Sequence, residues 1–392
     1  MNKTCEDTKM PRTNYGAMIL PVSGQCNLNC RYCYRSHLND PRTKEEISLD
    51  THENFAKQYI SVCEHPNFIW QGGEPTLIGV EFYKNAFELQ RRYNTDNKNI
   101  TNAIQTNGTL INKDWAKFFK AHNVIVGISI DGSQQMHNWY RYDFGGKRSF
   151  QRVMRGLKIL QNYGMDCNVL VLLHNRNVSV PEKIFKFLLL NNIYFWQFIP
   201  CIDLDPKTNR LTSYSIEPKQ YGTFICKLFD IWIDNDNPKI YIRIVDDLLH
   251  SYLGLSPQCC IFREDCNVIT MDYNGDIYPC DFFVRERWKL GNINSSTLKE
   301  ILETTTLREF NSEVAKKRQD KCSDCQWYFT CHGACPRYYD FYNKDENKNL
   351  LCPAYQRIFN HFFRTFDKVK ESKTSRIGRL IRHYEERVQN MR

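Results

Sequence analysis

The sequence predicts an α/β protein: a partial (β/α)6 barrel of the TIM type followed by a small cysteine-rich domain. Three observations predict it. Short apolar runs alternate with stretches of helical periodicity between Ala17 and Asn235. The run from Val124 to Ile130 is apolar almost throughout, which suits a parallel strand covered on both faces. From Gln258 onward the alternation stops and cysteines concentrate. A chain of 392 residues can build one large barrel and a smaller second domain. The expected division is 1–235 for the barrel, 236–355 for the cysteine-rich domain and 356–392 for a basic helical tail.

In chain order, the apolar run Ala17–Val22 is the first strand. A polar connection leads to a helix over Thr51–Val62. The second strand, Asn67–Trp70, ends in Gln71-Gly72-Gly73-Glu74-Pro75-Thr76-Leu77, and a helix follows from Gly79 to Arg92. Ile100–Thr106 is the third strand, Lys113–Ala121 a helix and Val124–Ile130 the fourth strand. Helix 150–163, strand 167–173, helix 181–191, strand 194–199 and helix 218–235 complete the series. Sites in parallel sheets form at the carboxyl ends of the strands, where Glu74, Asn107, Ser129 and Asp131 fall. Glu74 offers a ligand acceptor, whereas Asp131 reads as a helix cap. Six such units leave a barrel open on one side, wide enough for a polypeptide. In the second domain, Asn274-Gly275 between Val268–Tyr273 and Asp276–Tyr278 signals a hairpin.

Composition narrows the function classes. Apolar residues make up 42% of the chain, yet no run is long enough to span a bilayer. The first ten residues lack the apolar stretch of a signal peptide, so the expected location is cytoplasmic. Seventeen cysteines in such a protein argue for metal thiolates over disulfides. Much of the net charge of +9 lies in the tail, and no motif points to nucleic acid or a membrane. Ile377, Leu380, Ile381 and Tyr384 recur there at near-helical spacing, as in a helix packing one stripe on the domain.

The chemistry concentrates in Gly24-Gln25-Cys26-Asn27-Leu28-Asn29-Cys30-Arg31-Tyr32-Cys33-Tyr34. Three thiols in C-x3-C-x2-C spacing can hold a [4Fe–4S] cubane and leave one iron without a protein ligand. An open coordination position is where metal chemistry takes place, while a structural zinc site closes with four ligands. A redox C-x2-C pair is the plainer alternative. Gly72 and Gly73 let backbone approach a ligand closely, although an ordinary strand-to-helix turn has the same look. The second cysteine field comprises Cys259, Cys260, Cys266, Cys280, Cys322-x2-Cys325-x5-Cys331-x3-Cys335 and Cys352. Two zinc ribbons are its competing reading.

On these residues the chain resembles the radical S-adenosylmethionine (radical SAM) superfamily. The resemblance implies that Cys26, Cys30 and Cys33 ligate a cluster whose fourth iron takes the methionine groups of S-adenosyl-L-methionine. It implies cofactor contacts from Tyr32 at the adenine, Gly73 at the amino group, and Ser129 at the ribose or carboxylate. Arg141 would reach the carboxylate. Trp196 would meet the adenine region, through its backbone, since the family often has a smaller aliphatic residue there. Cleavage of the cofactor yields a 5′-deoxyadenosyl radical that abstracts a hydrogen atom from the substrate. The later series looks like the SPASM domain, with two auxiliary [4Fe–4S] clusters and hence three in all. Cys260, Cys266, Cys280 and Cys335 would hold one, and Cys322, Cys325, Cys331 and Cys352 the other. One spacing departs, Cys266 to Gly275 being a residue shorter than usual. Cys260 is preferred to Cys259 because it stands six before Cys266. Cys5, Cys63, Cys167, Cys201, Cys226 and Cys259 are then small apolar residues, and His332 a loop residue.

From Gly16 to Tyr355 the chain is similar to anaerobic sulfatase-maturating enzymes. Four segments carry this: 71–77, Gln105-Thr106-Asn107-Gly108-Thr109-Leu110, Val126-Gly127-Ile128-Ser129-Ile130-Asp131-Gly132 and Tyr278-Pro279-Cys280-Asp281-Phe282-Phe283-Val284. The implied activity is oxidation of a cysteine or serine of a nascent sulfatase to Cα-formylglycine. Asp281 is the implied base, and a flavodoxin or ferredoxin the implied reductant. A residue beside a cluster ligand is held rigidly, which suits that role; a loop carboxylate is the alternative. The same residues also fit a maturase of ribosomally made precursor peptides, forming crosslinks or epimers. A non-catalytic iron–sulfur electron carrier leaves Gly72–Pro75, Ser129 and Arg141 unexplained.

Overall fold

The first strand, β1 (Gly16–Leu20), stops before Pro21, which has no N–H to continue a ladder. The structure, a computed structural model, describes residues 15–35, 44–205, 207–255, 262–263, 266, 268–339, 349–372, 378–379 and 381–382. After β1 come α1 (Leu49–Val62), β2 (Asn67–Trp70), α2 (Val80–Tyr93), β3 (Thr101–Thr106), α3 (Lys113–Ala121) and β4 (Ile125–Ser129). A short α4 (Gln134–Asn138) precedes α5 (Phe150–Asn162), β5 (Cys167–Leu173), α6 (Pro181–Leu190), β6 (Phe195–Pro200) and α7 (Pro218–Asn235). Local chemistry starts these helices: Ser48 accepts from the Thr51 N–H at α1, and Asn112 from Asp114 and Trp115 at α3.

The six expected strands form one parallel run, with Ile19 beside Trp70, Ile104 beside Val126 and Val169 beside Trp196. Sequence reading missed how this sheet grows at both edges. β7 (Tyr241–Ile242) joins β6 in parallel and feeds α8 (Arg243–Tyr252). At the other edge β8 (Val268–Asp272) lies parallel to β1, Gly16 facing Val268 and Leu20 facing Asp272. The expected hairpin forms from β8 and β9 (Asp276–Tyr278), with β10 (Gly291–Asn292) antiparallel to β9. The cysteine-rich region is thus stitched into the barrel sheet through backbone hydrogen bonds. It continues with α9 (Leu298–Leu302), α10 (Thr305–Cys322), α11 (Tyr328–Cys331) and α12 (Cys352–Val369).

The core lies between the sheet and the helices. Trp70 from β2 packs edge-on against Tyr83 of α2 at 5.0 Å between ring centroids. α12 packs along α7 by stacking Phe362 on Phe229 at 3.7 Å, with Tyr355, Phe359 and Phe366 also buried. Burying each such aromatic contributes roughly 1.5–3 kcal/mol, so the helix after the last cysteine is part of the folded body. Ile381 in the tail is buried, whereas Ile377, Leu380 and Tyr384 fall outside the described residues. Among the described residues no helix is long and apolar enough to cross a membrane.

Candidate active site

The cysteine loop leaves β1 and is anchored from below by the segment that leaves β2. Gly73 N–H donates to the Ser23 carbonyl at 2.8 Å, and Glu74 N–H to the Gln25 carbonyl at 2.7 Å. A Cβ on Gly73 would lie 1.8 Å from the Gln25 carbonyl oxygen, so only glycine permits this approach. Glu74 differs from its expected role. It is fully buried, and its carboxylate accepts from the Thr76 N–H (3.1 Å), the Thr106 hydroxyl (2.6 Å) and the Asn107 N–H (2.6 Å). Those bonds tie the ends of β2 and β3 together and commit both oxygens, so Glu74 is a brace and not an open acceptor.

Asp131 is likewise not a helix cap; Ser133 precedes α4. Its buried carboxylate takes a two-pronged bond from Arg141, Nε at 2.8 Å and a terminal nitrogen at 3.1 Å. It also accepts from the Tyr32 hydroxyl and from the Leu172 N–H. Burial alone would raise this carboxyl, but the guanidinium outweighs it and holds the group down at about 2. Arg141 also lies over the Tyr32 ring, 5.4 Å from its centroid, and within electrostatic reach of Cys30. Tyr32 is walled by Tyr140 and His174. Tyr32, Arg141 and Cys30 therefore form one fixed group at the mouth of the barrel.

Strand register sorts the remaining expected residues. Ser129 pairs with Leu170 and accepts from the Gln105 amide at 3.1 Å, on the face turned to the barrel interior. Trp196 pairs with Val169 on the other face. It is wholly buried against Phe185 of α6, with its indole N–H on the Ile193 carbonyl. Its side chain belongs to the helix layer, which leaves only backbone facing the interior.

The thiols gather as three groups. Cys26, Cys30 and Cys33 lie within electrostatic reach of one another, and burial pushes Cys30 up to about 12, with Arg141 the chief opposing influence. Cys280, Cys335 and Cys266 are likewise mutual neighbours, and Cys331 senses Cys322, Cys352 and Cys325. Cys260 and Cys259 lie outside the described residues, as does Cys5. Among the described residues no three His, Cys, Asp or Glu side chains converge on one ion-sized point. All-thiolate sets suit a cubane, where each sulfur meets its own iron. Cys63, Cys167, Cys201 and Cys226 are buried and stand in no disulfide. His332 caps α11 with a left-handed φ of 45°.

Asp281 is brought to the cysteine loop by residues that spacing could not pair with it. The Tyr34 hydroxyl donates to its carboxylate at 2.7 Å, Gln71 approaches the same oxygen at 3.4 Å, and buried Arg35 donates to its main-chain carbonyl at 3.0 Å. Sequence reading also missed Arg337. It stacks on Phe282 at 4.1 Å and pairs with Asp203 after β6 at 3.1 Å. Its place two residues after Cys335 was the only available signal.

The radical SAM superfamily profile matches residues 20–188, and the profile of the SPASM iron–sulfur cluster-binding domain matches residues 259–326. A cysteine-type anaerobic sulfatase-maturating enzyme of Clostridium novyi is 36% identical over 87% of this chain and 93% of its own. A serine-type anaerobic sulfatase-maturating enzyme of Bacteroides thetaiotaomicron is 34% identical over 90% and 91%. The solved structure of native anSMEcpe with bound AdoMet and Cp18Cys peptide aligns with a TM-score of 0.82 at 34% identity, covering 91% of this chain and 99% of that one.

Proposed function

Because the chain belongs to the radical SAM family of anaerobic sulfatase-maturating enzymes, we propose that it oxidises one cysteine or serine side chain of a sulfatase polypeptide to Cα-formylglycine, with Asp281 as the base. One observation carries the reading: a carboxylate from the cysteine-rich region is hydrogen-bonded to Tyr34, the residue next to Cys33. It therefore stands where a side chain entering the barrel mouth meets both the cysteine loop and a proton acceptor.

The bound cluster and S-adenosyl-L-methionine would supply hydrogen-atom abstraction at Cβ of the target. Cys26, Cys30 and Cys33 would hold that cluster. Gly73 would admit the cofactor's amino group against the backbone, and Arg141 its carboxylate, with Ser129 and the Tyr32 ring lining the rest. Asp281 takes the proton from the target's thiol or hydroxyl. Tyr34 and Gln71 aim the accepting oxygen, and Arg35 fixes the backbone behind it. Cys260, Cys266, Cys280 and Cys335 would hold a second [4Fe–4S] cluster and Cys322, Cys325, Cys331 and Cys352 a third. These give the remaining electron a path away from the target. A flavodoxin or ferredoxin serves as reductant, and the cytoplasm keeps the thiolates reduced.

The test is direct. Anaerobically reconstituted, dithionite-reduced protein is incubated with a sulfatase-type peptide carrying cysteine or serine at the target. Mass spectrometry should show the aldehyde. An unchanged peptide together with steady deoxyadenosine release would sink the sulfatase assignment and leave the precursor-peptide alternative.

A further inference from the structure

At the carboxyl end of β3, Asn107 reaches the cysteine loop from a different part of the chain. Its side-chain nitrogen donates to the sulfur of Cys26 at 3.6 Å and to the side-chain oxygen of Asn27 at 2.8 Å. Its side-chain oxygen accepts from the Thr109 N–H at 2.9 Å and from the Thr109 hydroxyl at 2.7 Å. A main-chain N–H can only donate, so the oxygen of Asn107 must face Thr109 and its NH2 group must face Cys26. Asn27 closes the ring by donating to the Thr109 hydroxyl at 2.8 Å. Both amide hydrogens of Asn107 are thereby used, one of them on a cysteine sulfur.

The surroundings hold that donor still and give it work to do. Asn107 and Thr109 are both buried, and the Asn107 N–H is fixed at 2.6 Å on the Glu74 carboxylate. Cys30 and Cys33 each sense the Arg141 guanidinium, a cation that favours a thiolate. The chief charge acting on Cys26 is instead the Glu74 carboxylate, which opposes a thiolate. Negative charge on the Cys26 sulfur therefore leans on neutral donors, the Leu28 N–H at 3.3 Å and the Asn107 amide. The first is main chain of the loop itself and comes with any residue at 28. The second is a side chain from β3 and exists only while residue 107 carries an N–H.

We propose that Asn107 is a positioning residue that sets the reduction potential of the first cluster, by donating a hydrogen bond to the sulfur of Cys26. The inference rests on Cys26, Cys30 and Cys33 holding that cluster, as in the function proposed above. In reduction one electron passes from a one-electron donor to the cluster; no bond forms and no proton need move. The added negative charge spreads onto the ligand sulfurs, and an N–H aimed at one of them stabilises the reduced form more than the oxidised form. Asn107 thus makes the cluster easier to reduce, and Glu74 serves that end by fixing the main chain from which the amide projects.

The test is a reductive titration of full-length reconstituted protein, read by electron paramagnetic resonance. The reduced signal that changes when S-adenosyl-L-methionine is added marks the cluster with an open iron, and its midpoint is followed in wild type, Asn107→Asp and Asn107→Ser. Asp keeps an oxygen for the Thr109 N–H but turns a second oxygen toward Cys26. Ser also keeps an acceptor for that N–H and is too short to reach the sulfur. In both variants the equilibrium should shift at least about tenfold toward the oxidised cluster, a midpoint about 59 mV lower for one electron. Signals that ignore S-adenosyl-L-methionine should keep their midpoints, and iron content is measured alongside. A wild-type midpoint in either variant overturns the proposal, because Asn107 would then only shape the turn. An equal fall in every signal also overturns it, as the mark of general loosening. A wild-type protein in which no signal answers S-adenosyl-L-methionine defeats the underlying function itself, a result distinct from an unshifted midpoint.

Discussion

The Tyr34 hydroxyl and the Asp281 carboxylate meet at 2.7 Å although 247 positions separate them in the chain. The bond joins the cysteine loop after β1 to the turn after β9. Replacing Asp281 with Asn keeps the shape and removes the base. Peptide oxidation should fall by about 10²–10⁴, the usual contribution of general base catalysis, while deoxyadenosine formation persists. Undiminished aldehyde in the mass spectrum would refute the role.

Tyr34→Phe tests aim and not basicity. Losing one hydrogen bond to a charged group is worth about 1.5–3 kcal/mol, so a loss of at least about tenfold in peptide oxidation is expected. S-adenosyl-L-methionine affinity should hold. A variant that oxidises peptide at the wild-type rate would show that Asp281 is oriented by other groups.

Gly73→Ala should be far costlier than Gly79→Ala, although both add one methyl group. At Gly73 the new Cβ would lie 1.8 Å from the Gln25 carbonyl, while at Gly79, with φ of +88°, nothing stands within 4 Å. The second change costs only backbone strain of about 1–3 kcal/mol. The first must pry the β2 turn off the cysteine loop, so calorimetric S-adenosyl-L-methionine affinity should drop more than about tenfold, with iron content measured alongside. Equal affinities in the two variants would contradict this packing.

His52 sets a pH dependence of stability. It is fully buried among Phe68, Trp70 and Phe82, and burial lowers its pKa to about 4. Between about 6.5 and 4 the unfolded chain therefore binds a proton that the folded protein refuses, so stability falls as pH falls through that window. About 2 kcal/mol should be lost from this residue between pH 7 and pH 5. Urea unfolding of wild type and His52→Phe at both pH values measures it, and an identical pH slope in the two proteins would exclude the effect.

Arg337 and Asp203 should behave as a coupled pair. The ion pair is mostly buried, with side-chain exposures of 15% and 21%, and links the Cys335 segment to the end of β6. Removing one partner strands the other charge, at roughly 3–5 kcal/mol in fully buried cases and less here. Arg337→Met should thus destabilise by about 2 kcal/mol, and Arg337→Met with Asp203→Asn by less than the sum. Additive losses in urea unfolding would mean that the two do not interact.

Much was legible in the order of residues. Apolar runs bounded by turn residues marked the six barrel strands, because a parallel strand buried on both faces cannot hide its composition. The three-cysteine loop and the Gly72-Gly73 turn were legible because a cluster and a close backbone approach each demand particular residue types at fixed short spacing. What short spacing cannot encode is pairing between distant segments. That β8 adds to the edge of β1, that Asp131 receives Arg141 instead of capping a helix, that Glu74 spends its oxygens on β3, and that Trp196 turns toward α6 were all decided by the assembled sheet. The reason is physical: alternation along a strand states that two faces exist, but only the register with neighbouring strands decides which one looks into the barrel and which carboxylates meet a partner there.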